Sequence, residues 1–126
     1  MEEQGRRILI VDGSWDNLWV LQVFLADEGY QVEVANSGES ALAQASAFSP
    51  NVMLLDFMMP GLDGAQVIQR IRQHPVLNAL PILLMTAHQA GNEGFAAAIG
   101  ADGFIPKPIE FDKLLDRIRG LRKATL

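Results

Sequence analysis

Three short, unbroken apolar runs, Ile8-Leu9-Ile10-Val11, Val52-Met53-Leu54-Leu55 and Ile82-Leu83-Leu84-Met85, do most to limit how this chain can fold. Each has the length of a strand and stops on a polar residue, at Asp12, Asp56 and Thr86 respectively. A continuous apolar run suits a strand covered on both faces, as in a parallel sheet, whereas a strand with one wet face alternates. Gln31-Val32-Glu33-Val34-Ala35 does alternate, which places it nearer an edge. Phe104-Ile105 is a brief fifth strand that runs into Pro106-Lys107-Pro108.

Between these runs the apolar period becomes helical. Leu18, Leu21 and Leu25, widened by Val20 and Phe24, mark a first helix with Gly29 as its C-cap. Ser37 caps a second, carrying Ala41, Leu42 and Ala45 and ended by Pro50. Val67, Ile68 and Ile71 mark a third, which follows the turn-rich residues 59–64 and ends at Pro75. Phe95, Ala96 and Ile99 outline a fourth, but Gly91 and Gly94 each cost about 1 kcal/mol relative to alanine, so it is expected to be short or mobile. Phe111, Leu114, Leu115, Ile118 and Leu121 line the last. Five strands alternating with five helices predict an α/β, doubly wound parallel sheet with right-handed crossovers. Residues 1–126 are read as a single domain with its core at about 7–119 and no output domain.

Hydrophobic residues at 49% and charged residues at 20% place the chain with folded globular domains rather than disordered segments. Ten Lys and Arg against fifteen Asp and Glu leave a formal charge of −5, which opposes a broad footprint for nucleic acid or anionic lipid. With no cysteine there is no disulfide framework, thiolate metal site or cysteine nucleophile. Glu2, Glu3, Arg6 and Arg7 are not followed by a long apolar run, so no signal peptide or membrane span is expected and the chain is read as cytoplasmic.

In parallel sheets of this kind ligands sit beyond the C-terminal strand ends. Asp12, Asp56, Thr86 and Lys107 follow strands one, three, four and five, and are expected to converge in one pocket. Two carboxylates, a hydroxyl and an ammonium are the parts that hold a phosphoryl group together with a hard cation such as Mg²⁺. A carboxylate also accepts a phosphoryl group as an acyl phosphate. Taken singly, the acids read as helix caps, Thr86 as a strand end and Lys107 as a solvated loop residue. Agreement among four strand ends is what favours a site.

Ile8 to Asp12, Leu54-Leu55-Asp56-Phe57-Met58-Met59-Pro60-Gly61-Leu62-Asp63-Gly64, Met85-Thr86-Ala87 and Gly100-Ala101-Asp102-Gly103-Phe104-Ile105-Pro106-Lys107-Pro108 together resemble the receiver domain of two-component response regulators. That resemblance implies the flavodoxin-like strand order 2-1-3-4-5. It implies a phosphoryl group accepted on Asp56 from a sensor histidine kinase or a histidine phosphotransfer protein, and a phosphate-binding and switch set of Thr86, Ala87, Lys107 and Phe104. It further implies Mg²⁺ held by Asp12, Asp56 and the Met58 backbone carbonyl, and a cis bond between Lys107 and Pro108. The face formed by helix four, strand five and helix five would then engage a downstream protein, the chain being a monomer or a phosphorylation-linked dimer and a signalling module rather than an enzyme.

The chain departs from the family at Gly13, where receivers carry a second acid that usually binds the metal directly. Weakened Mg²⁺ binding is expected, with Asp12 coordinating instead and Ser14 or Asp16 helping through water. The alternative is a phosphorylation-independent pseudo-receiver that binds proteins. Trp19 is expected to pack on the domain and Trp15 to lie exposed at the pocket mouth, as a contact for a partner or a second copy. His74 and His88 are isolated and read as surface residues. A phosphatase of the haloacid-dehalogenase type wants a second Asp two residues after its nucleophile, where Met58 stands, and a dinucleotide binder wants a glycine-rich loop where only Gly13 is found.

Overall fold

A computed structural model describes residues 6–87 and 93–124; the expectations for His88 and Gly91 lie outside them. Strands β1 (Arg7–Val11), β2 (Gln31–Ala35), β3 (Val52–Asp56), β4 (Ile82–Thr86) and β5 (Gly103–Pro106) alternate with helices α1 (Trp15–Asp27), α2 (Gly38–Phe48), α3 (Gly64–Gln73), α4 (Glu93–Ala98) and α5 (Phe111–Ala124). The strands pair in parallel in the order β2-β1-β3-β4-β5, as the resemblance implied.

The unbroken apolar runs are explained by the pleat, which sends successive side chains to opposite faces. Leu9, Val11, Met53, Leu55, Ile82, Leu84 and Phe104 join a core with Ala41 and Ala45 of α2, Val67, Ile68 and Ile71 of α3, and Ala96 of α4. Ile8, Ile10, Val52, Leu54, Leu83, Met85 and Ile105 join the other core with Leu18, Leu21 and Leu25 of α1 and Leu114, Leu115, Ile118 and Leu121 of α5. Because both faces are covered, neither can be polar. β2 lies at the edge and alternates accordingly.

Local chemistry sets the helix ends. The Ser14 hydroxyl accepts the Asn17 N–H at 3.3 Å to start α1, and Gly29, at φ 102°, turns the chain after it. Asp63 and Gln66 form a reciprocal capping box on α3, both bonds 2.9 Å, within what reads from sequence only as a loop. Pro50 marks the end of α2, but Ser49 itself takes the left-handed turn at φ 52°. α4 is six residues long, matching the short helix expected.

Two expectations are corrected. Trp19 is 67% exposed and Val20 49%, so neither belongs to the buried stripe of α1, which is confined to Leu18, Leu21 and Leu25 with Phe24 beside it. The helical period carries Trp15, Trp19 and Val23 along a different flank, leaving α1 apolar on more than its core side. His74 is half-buried rather than a bare surface residue. Its Nδ1 accepts the N–H groups of Val76 and Leu77 at 3.0 and 3.2 Å and so orders the turn after α3.

Arg72 ties three segments together. Its guanidinium donates to the carbonyls of Asn78, Leu80 and Gly100 and to Asp102, whose carboxylate also accepts the Ile82 N–H at 2.9 Å. α3, the approach to β4 and the turn into β5 are thereby fixed to one planar group. Arg72→Leu strands these carbonyls and is expected to lower stability by about 2–3 kcal/mol in urea unfolding. Arg72→Lys should recover little of the loss, since one ammonium cannot span the fork.

Candidate functional site

Strand register builds the site. Val11 pairs with Leu55, Asp56 with Met85 and Thr86 with Pro106, so β1, β3, β4 and β5 end level with one another. The next residues out are Asp12 and Lys107, beside Asp56 and Thr86. Lys107 Nζ stands 2.8 Å from Asp12 Oδ2 and 3.4 Å from Asp56 Oδ1. The Lys107 N–H donates to the Thr86 carbonyl at 3.0 Å, which fixes the start of the lysine's loop to β4. The Lys107-Pro108 bond is cis. Thr86 and Phe104 are buried, and Ala87 is exposed just beyond Thr86.

Both acids are nearly shut off from solvent, Asp12 at 1% exposure and Asp56 at 6%. Asp12 Oδ1 accepts the Ser14 N–H at 2.9 Å, and Asn17 Nδ2 lies 3.4 Å from both carboxylate oxygens. Asp56 Oδ1 accepts the Met58 N–H at 3.3 Å, which places the Met58 backbone at the site while its side chain points to solvent. Burial pushes the Asp56 carboxyl above its ordinary value of 3.8, and the charge of Asp12 pushes the same way. Lys107 and the Met58 N–H pull it back in part.

The structure therefore brings Asp12, Asp56, Thr86 and Lys107 together. It reassigns the neighbours of Asp12. The Ser14 hydroxyl is engaged as the α1 cap, and its N–H rather than its oxygen meets Asp12; Asp16 points to solvent in the first turn. Asn17 is the residue that faces Asp12, and the sequence reading overlooked it. Its signal was the cap: the third residue after an N-cap returns to the cap's side of the helix.

A groove of about 200 Å³ opens beside the acids between α1 and the β5–α5 loop, with Asn17, Val20 and Leu21 on one wall and Lys107, Pro108, Ile109 and Phe111 on the other. Phe111 stacks on Phe24, ring centres 4.3 Å apart and planes 18° apart, joining α5 to α1. On the opposite side Phe57, next to Asp56, meets Phe95 of α4 edge to face at 5.2 Å. Among the described residues no group of three or more His, Cys, Asp or Glu is placed to hold a metal. Two buried carboxylates facing one ammonium nonetheless leave an excess negative charge, a donor set that suits a hard cation keeping several of its waters.

The sequence model of the response regulator receiver domain family matches residues 8–119. The chain is 37% identical over 121 residues to response regulator PleD of Caulobacter vibrioides, covering 95% of this chain and 27% of that protein. It is 40% identical over 120 residues to response regulator MprA of Mycobacterium leprae, covering 94% of this chain and 52% of that protein. It thus spans about a quarter and about half of these relatives. Among solved structures, the chemotaxis protein CheY4 of Vibrio cholerae superposes with a TM-score of 0.86 at 29% identity, over 93% of this chain and 98% of that one.

The raised Asp56 carboxyl has a consequence for stability. The folded state holds that proton more tightly than the unfolded chain, so this group's stabilising contribution is full at low pH and is lost as pH rises through its folded value. At neutral pH the ionised Asp56 opposes folding. Asp56→Asn keeps the shape without the charge and is expected to raise the thermal unfolding midpoint at pH 7. The gain should shrink as pH falls through the carboxylate range.

Proposed function

The chain belongs to the response regulator receiver domain family, and from that membership we propose that Asp56 accepts a phosphoryl group from a sensor histidine kinase or a histidine phosphotransfer protein. The observation that carries this reading is the Asp56 carboxylate itself, buried, destabilised by Asp12 and within 3.4 Å of the Lys107 ammonium. A carboxylate held in that way is a nucleophile set beside a cation that can pair with an incoming phosphoryl group.

In the transfer, an Asp56 oxygen forms a bond to phosphorus as the bond from phosphorus to the donor histidine nitrogen breaks. The imidazole keeps the electron pair, and Asp56 becomes an acyl phosphate. Lys107, already between the two acids, pairs with the incoming phosphoryl oxygens. Thr86 and the Ala87 N–H supply hydrogen bonds from the end of β4. A divalent cation, taken by Asp12, Asp56 and the Met58 carbonyl, supplies further neutralisation of the phosphoryl charge when bound. Phe104, buried behind Thr86 with α4 packed nearby, carries the change to the face formed by α4, β5 and α5, where a downstream protein docks.

The exposed flank of α1 suits the donor. Trp15 is 60% and Trp19 67% exposed, on the helix that begins three residues beyond Asp12 and walls the groove. An apolar flank without a Lys or Arg in α1, and with Asp16 and Asp27 on it, favours a donor helix with an apolar stripe and basic neighbours. A phosphorylation-independent binding module is the second reading, and Gly13 favours it.

Intact mass after incubation with a small acyl phosphate separates the two. One phosphoryl adduct that needs Mg²⁺ and is absent in Asp56→Asn is expected; an adduct seen only after Gly13→Asp would favour the binding module. Trp15→Ala/Trp19→Ala should leave labelling by the small molecule intact while weakening a protein donor about tenfold or more.

A further inference from the structure

We propose that Asn17 supplies the oxygen that Gly13 cannot, its side-chain carbonyl serving as a cation ligand, directly or through one bound water; this rests on the receiver reading of the site above. Gly13 leaves Asp12 and Asp56 as the acids at this edge. The Asp12 carboxylate is already engaged by the Ser14 N–H at 2.9 Å and by Lys107 Nζ at 2.8 Å. A cation that takes one or two protein carboxylates still needs further oxygens in its shell.

Asn17 is a side chain of α1 that reaches the Asp12 carboxylate. It is the third residue of α1, held there by its own N–H bond to the Ser14 hydroxyl, and it lines the groove together with Asp12 and Lys107. Its amide nitrogen lies 3.4 Å from both Asp12 oxygens, a long and weak pair of bonds. That orientation sets N–H groups against negative charge. A half-turn about the last side-chain torsion exchanges nitrogen for oxygen and presents an acceptor instead. Little is lost in the turn, because the bonds surrendered are weak. An acid here could face only the cation, and an aliphatic residue neither. The carboxamide thus serves the cation-free and cation-bound site without adding a third negative charge to a buried edge.

Position 13 offers the control. A Cβ built there would lie 3.6 Å from Pro60 Cδ and 4.0 Å from Met59 Cγ, ordinary contacts, so Gly13→Asp can be accommodated.

The test is Mg²⁺ binding to the full chain, read by calorimetry and by the fluorescence of the two tryptophans, Trp15 and Trp19, both on α1. Asn17→Leu is expected to weaken binding about tenfold, the usual scale for losing one supporting ligand. Asn17→Asp should tighten it, and Gly13→Asp added to Asn17→Leu should restore it. Urea midpoints of all variants verify that they fold. Unchanged affinity in Asn17→Leu would overturn the assignment. So would binding that appears only with Gly13→Asp, an outcome that also favours the phosphorylation-independent module; unchanged affinity in Asn17→Leu leaves the receiver reading standing, and absence of binding in every variant would overturn both.

Discussion

One ammonium shared between two buried carboxylates is the interaction on which the arrangement of this chain turns. Lys107 and Asp12 are 95 positions apart, and their 2.8 Å contact exists because a parallel sheet delivers β1, β3 and β5 to one edge. The apolar runs of β1, β3 and β4 are thus the cause of the polar cluster. By burying both faces of the sheet they leave its C-terminal edge as the place where ionisable groups can gather. There the acids lose most of their water, and one positive charge does not balance two negative ones. Burial and Asp12 therefore hold the Asp56 carboxyl above its ordinary range even with Lys107 at 3.4 Å.

Much of this was legible in the sequence, for reasons that differ by element. β1, β3 and β4 announced themselves because a strand buried on both sides has no polar alternation to confuse it with a surface segment. The convergence of Asp12, Asp56, Thr86 and Lys107 followed from where those runs stop. The strand order came from resemblance alone, since alternation of strands and helices does not say which strands are neighbours. What escaped was set by geometry over one or two turns. Trp19 was expected to be buried because an aromatic residue in a helix usually is, but its angle around α1 lies away from Leu18, Leu21 and Leu25. Asn17 was missed because its position depends on Ser14 being the cap. The tasks of Arg72 and His74 depend on loops whose paths no periodicity reveals.

Ring contacts tie down the helices on either flank of the site. Phe57 follows Asp56 directly and meets Phe95 edge to face, and Ala96 packs into the same core as Leu84 and Phe104, so the strand ends touch α4 in more than one place. α4 has six residues, fewer than two turns, and so has few internal hydrogen bonds with which to resist being moved. On the other side, α5 is held to α1 by the stacked Phe24 and Phe111 and by a continuous apolar stripe. The two flanks of the sheet are therefore unequally anchored. A change in charge at the edge is expected to move α4 first, because the energy needed there is smaller.

Gly13 changes the electrostatics of that edge without touching the acceptor. With Asp12, Asp56 and Lys107 ionised, the edge carries one net negative charge. An acid at position 13 would make it two. A phosphoryl group on Asp56 removes one carboxylate charge and adds up to about two, so the product is more negative by about one in either case. The glycine therefore leaves the increment unchanged while lowering the total that must be neutralised. The same absence that deprives a cation of a ligand also reduces the charge for which a cation is needed. A neutral carboxamide at Asn17 is consistent with that balance, since it adds an oxygen to the edge at no cost in charge.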